Sequence, residues 1–157
     1  MLGAAAAVAG MAAIGVSKPP VEDKKSYVVA GAVLVCNLGT QPTRLKMPLS
    51  HGVTIKGKAQ MNVNDFVVNE NIFPFGYCMS TINPEVQQNG KLDINGVKKA
   101  PCVPVITNPW LNGQHDVLIE NAPALLNEGC NFCIHGGAIL IDNDGQNLSG
   151  TTIVKSG

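Results

Sequence analysis

Hydrophobic residues in this chain fall in short clusters separated by turn-forming pairs, except at the beginning. Residues Met1–Val16 read MLGAAAAVAGMAAIGV without a charge, and Lys18, Pro19 and Pro20 then stop the run. A secretory signal peptide carries a basic region ahead of its apolar run, and none precedes this one. A spanning helix needs about 20 apolar residues, more than this stretch supplies. An opening Met-Leu also removes the N-myristoylation signal, which needs glycine in second place. Two readings stay open. One is an Ala-rich arm that docks on a partner, with Gly3, Ala7, Gly10 and Ile14 leaving a smooth face for close backbone approach. The other is a tail with no fixed structure. Lys18–Lys25 (KPPVEDKK) reads as a linker. The expected division is therefore an apolar extension and linker over 1–25 and a folded domain over 26–157.

From Ser26 onward the pattern is that of short strands. Tyr27–Cys36 (YVVAGAVLVC) is rich in β-branched residues, with Gly31 marking a bulge. Turn pairs follow at His51-Gly52, Lys56-Gly57, Asn89-Gly90, Asn95-Gly96, Asn112-Gly113 and Asp144-Gly145. Asn-Gly and Asp-Gly supply the positive φ angles of two-residue hairpin turns. Lys91–Ile94, Asn95-Gly96 and Val97–Lys99 form the clearest hairpin. Asp116–Glu120, Ala138–Ile141 and Thr151–Lys155 read as further strands. Pro84–Gln88 is the one helical stretch in the body, a turn at most. Crossover helices are missing, so a parallel α/β arrangement is excluded and a compact all-β fold is expected.

Composition narrows the picture. At 157 residues and 16.4 kDa the chain is one domain's worth. Lys plus Arg and Asp plus Glu are 11 each, a formal net charge of zero. That balance argues against a nucleic-acid partner, whose binding rests on clustered positive charge. Hydrophobic residues make up 45% and charged ones only 14%, which argues against global disorder. Aromatics are 4%, so the core must come from Val, Ile and Leu. So weakly charged a surface suits a protein that works against a partner.

The candidate chemistry lies in Cys36, Cys78, Cys102, Cys130 and Cys133, with His51, His115 and His135. An odd count of 5 cysteines is awkward for a pure disulfide framework. Without an export signal a reducing compartment is expected, where thiols bind metal or stay buried. Zinc takes four Cys or His ligands, and four turns could each give one thiolate. Cys78 follows Pro74-Phe75-Gly76-Tyr77, Cys102 lies between Pro101 and Pro104, and Cys133 precedes Gly136-Gly137, so each sits on stiff or tight backbone. Zinc ligation, buried thiols and disulfides all remain open on the residues alone. Cys130-Asn-Phe-Cys133 has no second C-x-x-C to complete a zinc ribbon, and no helix follows it as in thioredoxin-like units. A nucleophile pair of Cys133 with His115 or His135 is allowed by residue type, but nothing supplies an oxyanion hole. The chain has no G-x-S-x-G, H-E-x-x-H or phosphate loop. No enzymatic activity is expected.

Four blocks carry a resemblance. Tyr27–Gly39 (YVVAGAVLVCNLG), Pro74–Cys78 (PFGYC) with Asn83-Pro84, Ala100–Pro104 (APCVP) with Pro109-Trp110, and Cys133–Gly137 (CIHGG) with the following strand come in the order of the PAAR-like spike-tip family. The resemblance spans about Tyr27 to Ile141. It implies a small, cone-shaped β fold that sits on the blunt end of the trimeric VgrG-type spike of type VI secretion systems and related contractile injection machines. There it would sharpen the spike and couple cargo to it. The family's cysteine pattern falls on Cys36, Cys78, Cys102 and Cys133, which implies a structural zinc (Zn2+) site with those ligands. Cys130 is extra to the pattern, and His135 lies inside the last block, so either could stand in for one of the four. The extension over 1–25 implies recruitment of a further protein or effector.

These implications set expectations. The chain would reside in the bacterial cytoplasm before firing and then be delivered on the spike, with contact to a target membrane during injection. A metal near the point would pin turns that lack a large core. The broad base should be apolar, drawing on Val28–Val35 and Trp110–Leu111, although for Trp110 ordinary core is the favoured reading. One asymmetric chain on a trimer predicts one cap per spike. Two other classes stay in view: a free-standing zinc-stabilised binding module and a Cys-dependent hydrolase.

Overall fold

The computed structural model of the protein describes residues 24–148. The apolar run, most of the KPPVEDKK segment and the strand expected over Thr151–Lys155 lie outside the described residues. Within 24–148 the fold is all-β with one short helix, as expected. The strands are β1 (Val33–Cys36), β2 (Thr43–Arg44), β3 (Thr54–Ile55), β4 (Lys58–Ala59), β5 (Tyr77–Cys78), β6 (Lys91–Leu92), β7 (Lys98–Pro101), β8 (Gln114–Ile119), β9 (Ala122–Ala124), β10 (Cys130–Phe132) and β11 (Ala138–Asn143). The helix α1 covers Pro84–Asn89, between β5 and β6. The largest sheet has the order β10-β11-β1-β2, and β5-β7-β6 forms a second. Two hairpins, β3-β4 and β8-β9, complete the set. All named pairs are antiparallel.

Turn chemistry explains the short strands and also where the sequence reading needs correction. Lys56 and Gly57, at φ 53° and 79°, make the two-residue turn of β3-β4. Gly31 is not a bulge inside one long strand. At φ 98° it closes a turn in which Ala32 N–H donates to Val29 O, so β1 begins only at Val33. Asn89-Gly90 is not a hairpin turn either, because Gly90 at φ −67° ends α1 and its N–H donates to Val86 O. Glu120 and Asn121, at φ 51° and 67°, turn β8 into β9 without any glycine. At the start of α1, the Asn83 side chain accepts the Glu85 N–H and Pro84 opens the first turn.

The core is aliphatic, as the composition required. Val28, Ala32, Leu34, Leu45, Met61, Ile72, Leu125 and Ile139 are fully buried, with Phe75 and Trp110 nearly so. The Trp110 ring N–H donates to Asp65 O at 2.9 Å. Trp110 is thus ordinary core, the reading favoured for it. Val28, Val29, Ala32 and Leu34 are buried too, which corrects their place on an exposed base, whereas Leu111 is half exposed. Buried asparagines sew the turns together. Asn62 donates to Ile119 O, Asn71 to Lys46 O and Asn131 to Asn108 O, at 2.8, 3.0 and 2.9 Å. No buried side-chain nitrogen or oxygen among the described residues lacks a partner, so this polar interior avoids the cost of unmet hydrogen bonds.

Candidate metal centre

Four segments far apart in sequence meet at one small cavity of about 20 Å³. Cys36 comes from the end of β1, Cys78 from the end of β5, Cys102 from just after β7 and Cys133 from just after β10. All four line it, together with Phe75, His135 and Gly137. Backbone bonds hold the segments in place. Gly39 bridges Cys78, and Met79 N–H donates to Leu38 O at 2.9 Å. Cys102 N–H donates to Gly76 O at 2.9 Å, and Ile134 N–H to Val105 O at 3.0 Å. Cys133 opens the tight turn to β11, where its N–H donates to Gly137 O and Gly136 N–H returns to Cys133 O. The Ser80 hydroxyl donates to His135 O and ties this turn to the segment after β5.

The sulfurs face amide donors. Leu38 N–H points at Cys36 Sγ (3.5 Å), Ser80 N–H at Cys78 Sγ (3.4 Å) and Val105 N–H at Cys133 Sγ (3.4 Å). Such donors favour the thiolate and orient it as a ligand. Opposing them, burial pushes the Cys36 thiol up from 9.0; the Leu38 amide pulls it down, and the neighbouring Cys133 and Cys78 add to the rise. Burial also raises Cys102, where an amide of Phe75 opposes it and Cys78, Cys36 and Cys133 add to it. The four sulfurs are thus close enough to repel one another as anions.

The donor set fits zinc. Four thiols, a site about the size of one water and amide donors aimed at the sulfurs suit a tetrahedral thiolate-preferring ion. Glycine permits the approach. A Cβ on Gly137 would stand 2.7 Å from Cys36 Sγ and 3.9 Å from Cys133 Cβ. Among the described residues, however, no three His, Cys, Asp or Glu side chains already stand as a metal-binding group. All five cysteines carry free thiols.

The remaining candidates lie elsewhere. Cys130 pairs with Leu140 in the sheet and bridges Leu111, away from the cavity lining. His135 lines the cavity, and His115 sits exposed on β8. His51 belongs to a separate cluster that sequence reasoning did not find. Its Nδ1 meets Glu120, and its Nε2 meets buried Asp65 at 2.9 Å. The two carboxylates grip opposite ring atoms, so they do not converge on one ion. Asp65 and Glu120 lie 14 and 69 residues from His51, and no local spacing pointed to them.

The fold and site define a small all-β domain sewn together around a cysteine-lined cavity. The chain belongs to the DUF4280 family, described as a domain of unknown function, whose profile matches residues 28–146. No curated protein and no solved structure matches it. Among the described residues no helix is long and apolar enough to cross a membrane.

Proposed function

We propose that this protein caps the blunt end of a VgrG-type trimeric spike of a type VI secretion system, with one zinc ion held by Cys36, Cys78, Cys102 and Cys133. One observation carries the reading. The four cysteines of the PAAR-like pattern, drawn from four distant segments, line a single small cavity, while the fifth does not. The cap stands on the spike as one chain per trimer and sharpens it. Residues 1–25 recruit a further protein or effector to the tip. Zinc would supply strong coordinate bonds where strands of two to six residues leave little core. The protein's own residues hold the thiols in place: the 133–137 turn presents Cys133, the Gly39–Cys78 bridge aligns Cys78, and the amides of Leu38, Ser80 and Val105 orient the sulfurs.

The test is co-expression of the full chain with a VgrG-type trimer and native mass measurement of the complex. One chain per trimer is expected. Three chains per trimer, or no complex, would overturn the capping reading, and no complex with zinc still bound would favour a free-standing module. Deleting residues 1–25 should leave the cap on the trimer and remove the recruited partner.

A further inference from the structure

A different feature of the molecule lies in the hairpin joining β6 to β7, whose loop is held stiffly. Asp93 Oδ1 accepts the N–H groups of Asn95 and Val97 at 2.8 and 2.9 Å. Gly96 N–H donates to Asp93 O at 3.0 Å, and Gly96 takes the left-handed φ of 81°. This is a three-residue loop with a glycine bulge, one residue longer than the Asn-Gly turn that the sequence suggested. Its effect is to present Ile94 at the tip. Ile94 is 98% exposed, the extreme among the large hydrophobics of the described residues, and Leu92 is 68% exposed.

The charge around this tip is unusual for the chain. Lys91, Lys98 and Lys99 are 3 of the protein's 11 basic residues, crowded into 91–99. Against them stands one acid, Asp93, which pairs with Lys99 at 2.8 Å. Lys98 Nζ reaches Gln87 O at 3.3 Å, and Lys91 makes no ion pair among the described residues. The segment is therefore a net cation on a neutral protein. We propose that this hairpin inserts into anionic lipid surfaces. Ile94 and Leu92 enter the boundary between headgroups and acyl chains, while Lys91 and Lys98 meet lipid phosphates. Aliphatic tips flanked by lysines match both demands of an anionic interface. A bilayer is favoured over a folded partner because three lysines against one acid within 91–99 complement an anionic headgroup surface, with the exposed Ile94 and Leu92 between them. The inference does not rest on the thiol site.

The test uses the full chain carrying Ile94→Trp, with the buried Trp110 as constant background. It is titrated with vesicles of phosphatidylcholine, alone or with about one-third phosphatidylglycerol. With the anionic vesicles, fluorescence from position 94 should shift to the blue and be quenched by brominated acyl chains; with the neutral ones it should barely change. Lys91→Gln and Lys98→Gln should each weaken vesicle binding about fivefold at low salt. Ile94→Asn should weaken it too, while Leu49→Asn, at an exposed aliphatic outside the hairpin, should not. Binding without quenching at position 94 would assign it to the apolar extension and overturn the proposal. Absence of binding, or equal binding to both vesicles, would overturn it as well and leave the hairpin as a protein contact.

Discussion

Replacing Gly137 with alanine sets one methyl group against the proposed metal site. Gly137 is not in the left-handed region, so the backbone accepts alanine without strain. The added Cβ would lie 2.7 Å from Cys36 Sγ, while Asn37 Oδ1 and Cys133 Cβ stay at an ordinary 3.8 and 3.9 Å. Non-bonded heavy atoms settle at about 3.5–4.0 Å, so the sulfur must retreat by roughly 1 Å. Without metal, Cys36 can do so by turning χ1, at little cost. With zinc it cannot, because Zn–S bonds hold near about 2.3 Å within about 0.2 Å. The expected loss of affinity is about 10–100-fold, or about 1.4–2.7 kcal/mol. A competitive chelator titration reads it directly, and unfolding with and without metal separates it from damage to the fold. Metal-free Gly137→Ala should unfold close to the parent, and the metal-loaded form well below it. Equal zinc affinity in the two proteins would refute the reasoning, since no sulfur ligand could then occupy that place.

Other consequences reach beyond the cavity. Leu34→Ala, at a fully buried position, should cost about 2–5 kcal/mol in denaturant unfolding. Its zinc content should stay unchanged, because Leu34 does not line the cavity. The His51 cluster should make stability depend on pH. Burial alone would lower the His51 pKa, but the hydrogen bonds and charges of Glu120 and Asp65 outweigh it and raise it above 6.5. A raised folded-state value means the protonated ring favours the folded chain. The contribution is therefore complete below pH 6.5 and is lost as pH rises through the higher folded value. Unfolding measured across that window should show a loss of stability that His51→Gln lacks; identical pH profiles would contradict the clamp.

Much of this architecture was legible because short-range rules wrote it. β-branched runs ended at Gly pairs, and Lys56-Gly57 turned as its type demands. The thiol site was legible through stiff local backbone and through the resemblance of four blocks. Period two explains why Cys130 parts from Cys133: three residues apart on extended chain, their side chains leave opposite faces. Less legible were features decided by distant partners. Glu120-Asn121 takes two left-handed residues without glycine, at the corner where Glu120 meets His51. Gly31 looked like an interruption of one strand, but Leu45 O accepts its N–H and Asp144 O that of Val29, so the chain bends there. Trp110 read as core more readily than as surface and is buried, but its anchor, the Asp65 carbonyl from a remote loop, had no local signal.

The most direct test is metal content of the purified full chain, measured alongside Cys36→Ser, Cys78→Ser, Cys102→Ser, Cys133→Ser and Cys130→Ser. One zinc per chain is predicted for the parent and for Cys130→Ser, falling sharply in each of the other four. A parent without stoichiometric zinc, or a loss confined to Cys130→Ser, would contradict the account.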